Sequence, residues 1–317
     1  MNIVFFGTPE AALPSLEKLL ASEHRIKLIV TQPDRPAGRG QKLTPPPVKK
    51  FALKHGLPFI QPEKIRKDQV ALNLIRSSEP DIIVIVAYGQ ILPAEIIYFP
   101  PFRSINVHFS LLPKYRGACP VAWAILNGEE KTGVTIFQLN ERMDEGDILT
   151  QIEVDIQPGE NAGELESRLA QIGAELLLET LARIDQIKPV PQNHFLATYA
   201  PKIDKNMGQV DWAWPALKID RHVRALNPSP GAYTFFRQEK IKIIRGSLLK
   251  ETVSGPNPGQ IVRISQEGLS ICCGDSVLYR LEWLQRENRP QMRAYEVSLG
   301  LRLKPGDCFG LEKNKSG

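Results

Sequence analysis

Cysteine is scarce and poorly spaced for chemistry. The chain of 317 residues has four, Cys119, Cys272, Cys273 and Cys308. No C-x-x-C occurs among them, so neither a metal site nor a disulfide framework is expected. Adjacent Cys272 and Cys273 would face opposite sides of a strand. Long apolar runs are also missing: Ile82 to Ala87, the strongest stretch, is strand-sized and far short of a membrane span. The N-terminus lacks a basic region followed by a long apolar segment, so no signal peptide is expected, and a cytoplasmic location follows by default. No internal repeat is present. The first apolar run is followed by Gly7-Thr8-Pro9 rather than G-x-G-x-x-G, which argues for a plain βα turn and against a dinucleotide site.

What remains is an ordinary soluble composition, 42% hydrophobic and 24% charged. The length is comfortable for two domains. Charge is unevenly divided. Residues 1–207 hold 23 Lys+Arg against 24 Asp+Glu, while residues 208–317 hold 17 against 11, so the net charge of +5 resides in the C-terminal third. That asymmetry favours a polyanionic partner.

Strand-like runs alternate with helical patterns through the first half. Strands are expected at 3–6, 26–31, 81–87, 104–107, 133–139 and 148–156, and helices at 10–21, 48–55, 69–77 and 160–187. The wholly apolar 81–87 run reads as a strand covered on both faces. This pattern predicts an α/β sheet between helices, with a mixed edge. Residues 188–207 break the periodicity and read as a linker. Beyond it, short strands expected at 209–212, 232–236, 240–244, 259–264, 269–273 and 276–283, with a helix around 216–226, suit a small barrel.

The chemically richest stretch is 104–117, Ser-Ile-Asn-Val-His-Phe-Ser-Leu-Leu-Pro-Lys-Tyr-Arg-Gly. Asn106 and His108 alternate with apolar residues, so on a strand both point to one side. Downstream, Asp144 stands in a Gly-containing turn. A carboxamide can donate to an oxyanion, an imidazole can move a proton, and a carboxylate can hold the imidazolium. Each alone has a plainer reading: a semi-buried imidazole, a turn amide, a turn carboxylate.

Taken together, Asn106, His108, Ser110-Leu111-Leu112-Pro113, Arg116-Gly117, Gly133-Val134-Thr135 and Asp144-x-Gly146-Asp147 resemble the signature of the folate-dependent formyltransferases. The resemblance covers essentially the whole chain, most specifically residues 31–43 and 104–147. It implies a Rossmann-like α/β formyltransferase domain with a mixed sheet over 1–187, the linker over 188–207, and an OB-like β-barrel over 208–317. It implies 10-formyltetrahydrofolate as cosubstrate, no metal, and Asn106, His108 and Asp144 as catalytic residues. Ser110, Leu111, Leu112 and Pro113 look like the loop that holds the cosubstrate, and Gln90, Ile91 and Leu92 like the segment flanking the pterin. Two positions depart from the usual pattern. Phe109 stands where a small residue is commoner, which would narrow the acceptor side of the cleft, and Glu145 follows the Asp.

From Arg35 to Lys54 there are six basic residues and no acidic one. The segment 31–43 resembles the loop by which family members acting on initiator methionyl-tRNA engage its acceptor arm, with Arg39 the main contact and Lys42 supporting it. Arg237, Lys240, Lys242 and Arg245 are expected to meet the tRNA backbone. No membrane partner is expected, and the expected state is a monomer. Two other readings stay open at this point: a formyltransferase acting on an amino sugar nucleotide or the hydrolase domain of a folate dehydrogenase, and a non-catalytic nucleic-acid-binding protein on the same fold.

Overall fold

Ile82 to Val86 are five β-branched residues in succession, and all five are buried. In the computed structural model, which describes residues 1–37 and 42–310, they form the middle of the larger sheet. The chain runs β1 (Asn2–Gly7), α1 (Leu13–Leu20), β2 (Arg25–Val30), the small hairpin β3 (Arg35–Ala37) and β4 (Lys42–Thr44), α2 (Pro47–Lys54), β5 (Phe59–Ile60), α3 (Gln69–Ser77), β6 (Ile82–Val86) and α4 (Ala94–Ile97). It continues through β7 (Ser104–His108), α5 (Pro120–Asn127), β8 (Lys131–Gln138), β9 (Ile148–Asp155) and α6 (Ala162–Leu181).

The sheet order is β5-β2-β1-β6-β7-β8-β9. Neighbours are parallel as far as β7, and β8 and β9 then add antiparallel strands. This is the mixed edge expected from the sequence. Val4, Phe6, Ile83 and Ile85 on one face pack with Leu72 and Ile75 of α3 and with Ile96 and Ile97 of α4. Ile3, Phe5, Ile82 and Val84 on the other face are equally buried. Strands covered twice have no polar side to show, hence the unbroken apolar run.

The later part comprises α7 (Ala216–Ala225), β10 (Ala232–Phe236), β11 (Glu239–Thr252), β12 (Ile261–Ser265), β13 (Gly268–Cys272), β14 (Val277–Arg286), β15 (Gln291–Arg293) and α8 (Ala294–Leu301). The antiparallel sheet is ordered β10-β11-β14-β13-β12, with β15 on β14. Segment 307–310 links its two edges. Gly310 pairs with Phe235 of β10, and Cys308 with Gln260 beside β12. The edges are therefore closed, as a barrel requires.

Two compact units result. One holds 1–120, 131–155 and 166–201; the other holds 121–130, 156–165 and the described residues from Lys202 on. Residues 188–201, which read as linker in the sequence, group with the first unit. The strand expected at 209–212 reduces to a single bridge from Gln209 to Tyr233.

Candidate active site

β7 carries the expected pair. Asn106 and His108 lie two residues apart on one face of the strand, opposite Phe137 and Thr135 of β8. His108 is buried and Asn106 half-buried. His108 Nε2 lies 3.0 Å from the Tyr115 carbonyl oxygen. A carbonyl only accepts, so Nε2 carries a hydrogen, and in the neutral ring the lone pair is then at Nδ1. Nδ1 faces Asp144 Oδ2 at 3.8 Å. The structure thus brings His108 and Asp144 together, although they are 36 positions apart in sequence. Among the described residues the Asn106 carboxamide has no hydrogen-bond partner.

Asp144 is held in a left-handed conformation, φ 55°. Its Oδ2 accepts from the Gly117 amide at 2.8 Å. Gly117 itself sits at φ 125°, and a Cβ there would meet the Ala200 carbonyl at 2.6 Å, so only glycine brings this amide into place. Gly146 is similarly confined, since a Cβ would overlap the Gln138 carbonyl.

Residues not singled out for the site complete this loop. Gln192 Nε2 donates to the carbonyls of Asp144 (2.9 Å) and Gly146 (2.7 Å). Its Oε1 accepts from Arg116 Nε (3.1 Å) and Nη2 (2.7 Å). Arg116 Nη1 pairs with Glu145 at 3.3 Å, and Nη2 donates to His194 Nδ1 at 3.1 Å. Glu145, a departure in sequence, is therefore the counter-charge of a buried guanidinium. Arg116 belonged to the recognised motif, but nothing local to Gln192 marked it. Phe109 is the other departure in sequence. Its ring is buried beside Val107 and Val134, where a Cβ on Gly173 of α6 would come within 3.6 Å of it.

The 110–113 loop is braced from within. Ser110 Oγ donates to the Lys114 carbonyl (2.7 Å), and Thr135 Oγ1 donates to the Ser110 carbonyl (2.6 Å) while accepting from the Leu112 amide (3.1 Å). Gln151 Nε2 donates to Thr135 Oγ1 and to the Leu112 carbonyl. Leu112 is buried, and Leu111 packs where Gly133 lacks a side chain. In the other expected cosubstrate segment, the Gln90 amide accepts from Ile65 N and donates to the carbonyls of Pro62 and Glu63. Leu92 is buried and Ile91 is exposed. Among the described residues no acceptor takes the Ile91 or Leu92 N–H.

Arg39 lies outside the described residues. Lys42 is exposed on β4. Within the acid-free run, Arg35 pairs with Glu63 and Lys49 with Asp34, which dilutes the charge that the sequence alone implies. In the other unit, Lys240 and Lys242 stand opposite Phe235 and Tyr233 on one face of the β10–β11 hairpin. Lys240 Nζ lies 3.5 Å from the Tyr233 ring centroid, and Arg237 at the hairpin turn lies 4.9 Å from that of Phe236. Arg245 falls beyond a register shift and pairs with Glu282 at 3.3 Å. The structure thus places Lys240 and Lys242 on one face of the hairpin and Arg237 at its turn, and pairs Arg245 with Glu282.

Comparison with known proteins bears on this geometry. Residues 1–181 match the formyl transferase family, and residues 202–302 match the formyl transferase C-terminal domain. The chain is 42% identical over 312 residues to a methionyl-tRNA formyltransferase of Acetivibrio thermocellus, covering 98% of this chain and 100% of that one. It is equally 42% identical to one from Syntrophus aciditrophicus, covering 98% and 99%. Among solved structures, the fold resembles that of the sugar 3N-formyl transferase WlaRD, solved with dTDP and 5-N-formyl-THF, with TM-score 0.66 and 20% identity over 92% of this chain and 99% of that one. It also resembles the methionyl-tRNA formyltransferase from Clostridium thermocellum, with TM-score 0.57 and 18% identity over 78% and 93%. With both domains matched in order and relatives aligned end to end, this chain belongs to the methionyl-tRNA formyltransferase family.

Proposed function

We propose that the chain transfers the formyl group of 10-formyltetrahydrofolate to the methionyl amino group of charged initiator tRNA, with Asn106, His108 and Asp144 as its catalytic residues. The observation that carries the reading is the placing of Asn106 and His108 on one face of β7 with the Asp144 carboxylate 3.8 Å from the His108 ring. The amine is its own nucleophile, so no covalent intermediate on the protein is needed. Its nitrogen attacks the formyl carbon, the carbonyl oxygen becomes an oxyanion, and the bond from that carbon to folate N10 then breaks. The amine loses a proton and N10 gains one. His108 Nδ1 takes the amine proton, and the Asp144 carboxylate beside it stabilises the imidazolium. The Asn106 amide donates to the oxyanion.

The cosubstrate reading rests on two segments. Ser110–Pro113 forms a rigid wall beside His108. Ile91 and Leu92 offer backbone donors next to an exposed apolar side chain, which suits the edge and face of a flat heterocycle. For tRNA, Arg39 and Lys42 are assigned to the acceptor arm, and Arg237, Lys240, Lys242 and Arg245 to the backbone. The first domain is assigned the chemistry and the second the grip on tRNA. The protein acts as a monomer in the cytoplasm. An amino sugar nucleotide is the rival acceptor, and the basic segment 35–54 counts against it.

The test is formyl transfer by the full chain, with charged initiator tRNA and an amino sugar nucleotide offered in parallel. Transfer to the tRNA alone is expected, with turnover lost in a folded His108→Ala variant. Transfer to the sugar alone, or normal turnover by His108→Ala, would overturn the substrate or the site respectively.

A further inference from the structure

Arg116 heads the largest fully buried side chains among the described residues, at 2% exposure. A guanidinium taken out of water is costly unless its donors are all engaged. Those donors lead in one direction. Two go to Gln192, one to Glu145 and one to His194. Gln192, itself 6% exposed, grips the backbone on both sides of Glu145 through the Asp144 and Gly146 carbonyls. The amide following Arg116, that of Gly117, holds the Asp144 carboxylate. Arg116 is anchored in turn by its backbone, donating to the Thr198 carbonyl (2.9 Å) and accepting from the Ala200 amide (2.7 Å). Gln192 thus ties the carbonyls of Asp144 and Gly146, and the Gly117 amide ties the Asp144 carboxylate, which together fix the turn that holds Asp144 in its left-handed conformation.

We infer that Gln192 and Arg116 are positioning residues, whose task in the reaction is to aim the Asp144 carboxylate at His108. The inference rests on the reading that Asp144 serves formyl transfer. Gln192 is the informative member, because its two ends do different jobs. The carbonyl end satisfies Arg116, and the NH₂ end holds the catalytic loop. A structural role needs only the first.

Gln192→Glu separates the two. A carboxylate still accepts from Arg116, and more strongly, but it cannot donate to the Asp144 and Gly146 carbonyls. Gln192→Glu and Gln192→Leu in the full chain are each expected to lower kcat by about 10²-fold with little change in KM for charged tRNA, because the loop shifts without touching the bound substrate. Their effect should vanish when Asp144 is already gone: in an Asp144→Ala background, Gln192→Glu should cost no more than about twofold. Thermal melting establishes that each variant is folded, and Gln192→Glu decides the matter if Gln192→Leu is not. A folded Gln192→Glu enzyme with wild-type kcat would assign Gln192 to burying Arg116 and overturn the inference. Equal losses with and without Asp144 would do the same. Failure of the wild type to formylate charged tRNA, or full activity in Asp144→Ala, would instead remove the reading on which the inference stands.

Discussion

At the scale of single residues, the site depends on what each polar atom is prevented from doing. Tyr115 occupies one His108 nitrogen and leaves the other for the amine proton. Asn106, without a partner among the described residues, needs no rearrangement to meet an oxyanion. Removing that donor in Asn106→Ala should lower kcat by a factor equivalent to about 3 kcal/mol with the fold retained, read from single-turnover formylation. A second buried histidine behaves differently. Burial holds the His222 pKa down to about 4 from its ordinary 6.5, with Lys218 adding to the effect. Between pH 6.5 and 4 the unfolded chain binds a proton that the folded chain refuses, so stability falls as pH drops through that window and levels off below it. The full difference is about 3 kcal/mol. Urea midpoints of wild type and His222→Gln at pH 7 and pH 5 check this: the variant should lose less stability on acidification.

At the scale of elements, β7 and β8 turn local sequence into a site. Thr135, directly across from His108, fixes the 110–113 loop through Ser110 and Leu112. Thr135→Val keeps the shape but strands a buried amide and carbonyl, so it should cost about 2 kcal/mol of stability. It should also weaken binding of a folate analogue, measured by equilibrium dialysis. An unchanged affinity would detach this loop from the cosubstrate. The same elements show what the sequence made legible. α3 matches its expected bounds, and β6 and β7 match to within a residue, because periodicity and continuous apolarity are local properties. Asn106 and His108 were readable for the same reason. Gln192 was not, since its value comes from Arg116 and Asp144, both distant in sequence. The packing of Phe109 was not readable either, because the side on which a residue beyond a strand end falls depends on how α6 packs. α8 was missed because eight residues, one of them Gly300, give little periodicity; its start is capped one way, Glu296 accepting from the Arg293 amide at 3.2 Å, since an arginine side chain cannot accept in return.

At the scale of the whole molecule, the chemistry and a group of cations fall in different units. His108, Asp144 and their supports all belong to the first unit, and the cationic hairpin belongs to the second. Such a division separates rate from affinity. Lys240 and Arg237 lie against aromatic rings rather than carboxylates, so their charge remains available to phosphates. Arg245, engaged by Glu282, should contribute less. Replacing Arg237, Lys240 and Lys242 together by Gln should weaken initiator and elongator tRNA alike. It should also reduce the slope of log affinity against log salt by about one for each phosphate no longer neutralised. Arg245→Gln alone should change the slope little. The kcat for tRNA at saturation should stay near wild type, because none of these residues belongs to the unit that holds His108 and Asp144. Filter binding across a salt series, paired with formylation at saturating tRNA, reads both quantities. A triple variant that kept its salt slope would move the tRNA grip off this hairpin, and one that lost kcat at saturation would show that the second unit also shapes the chemistry.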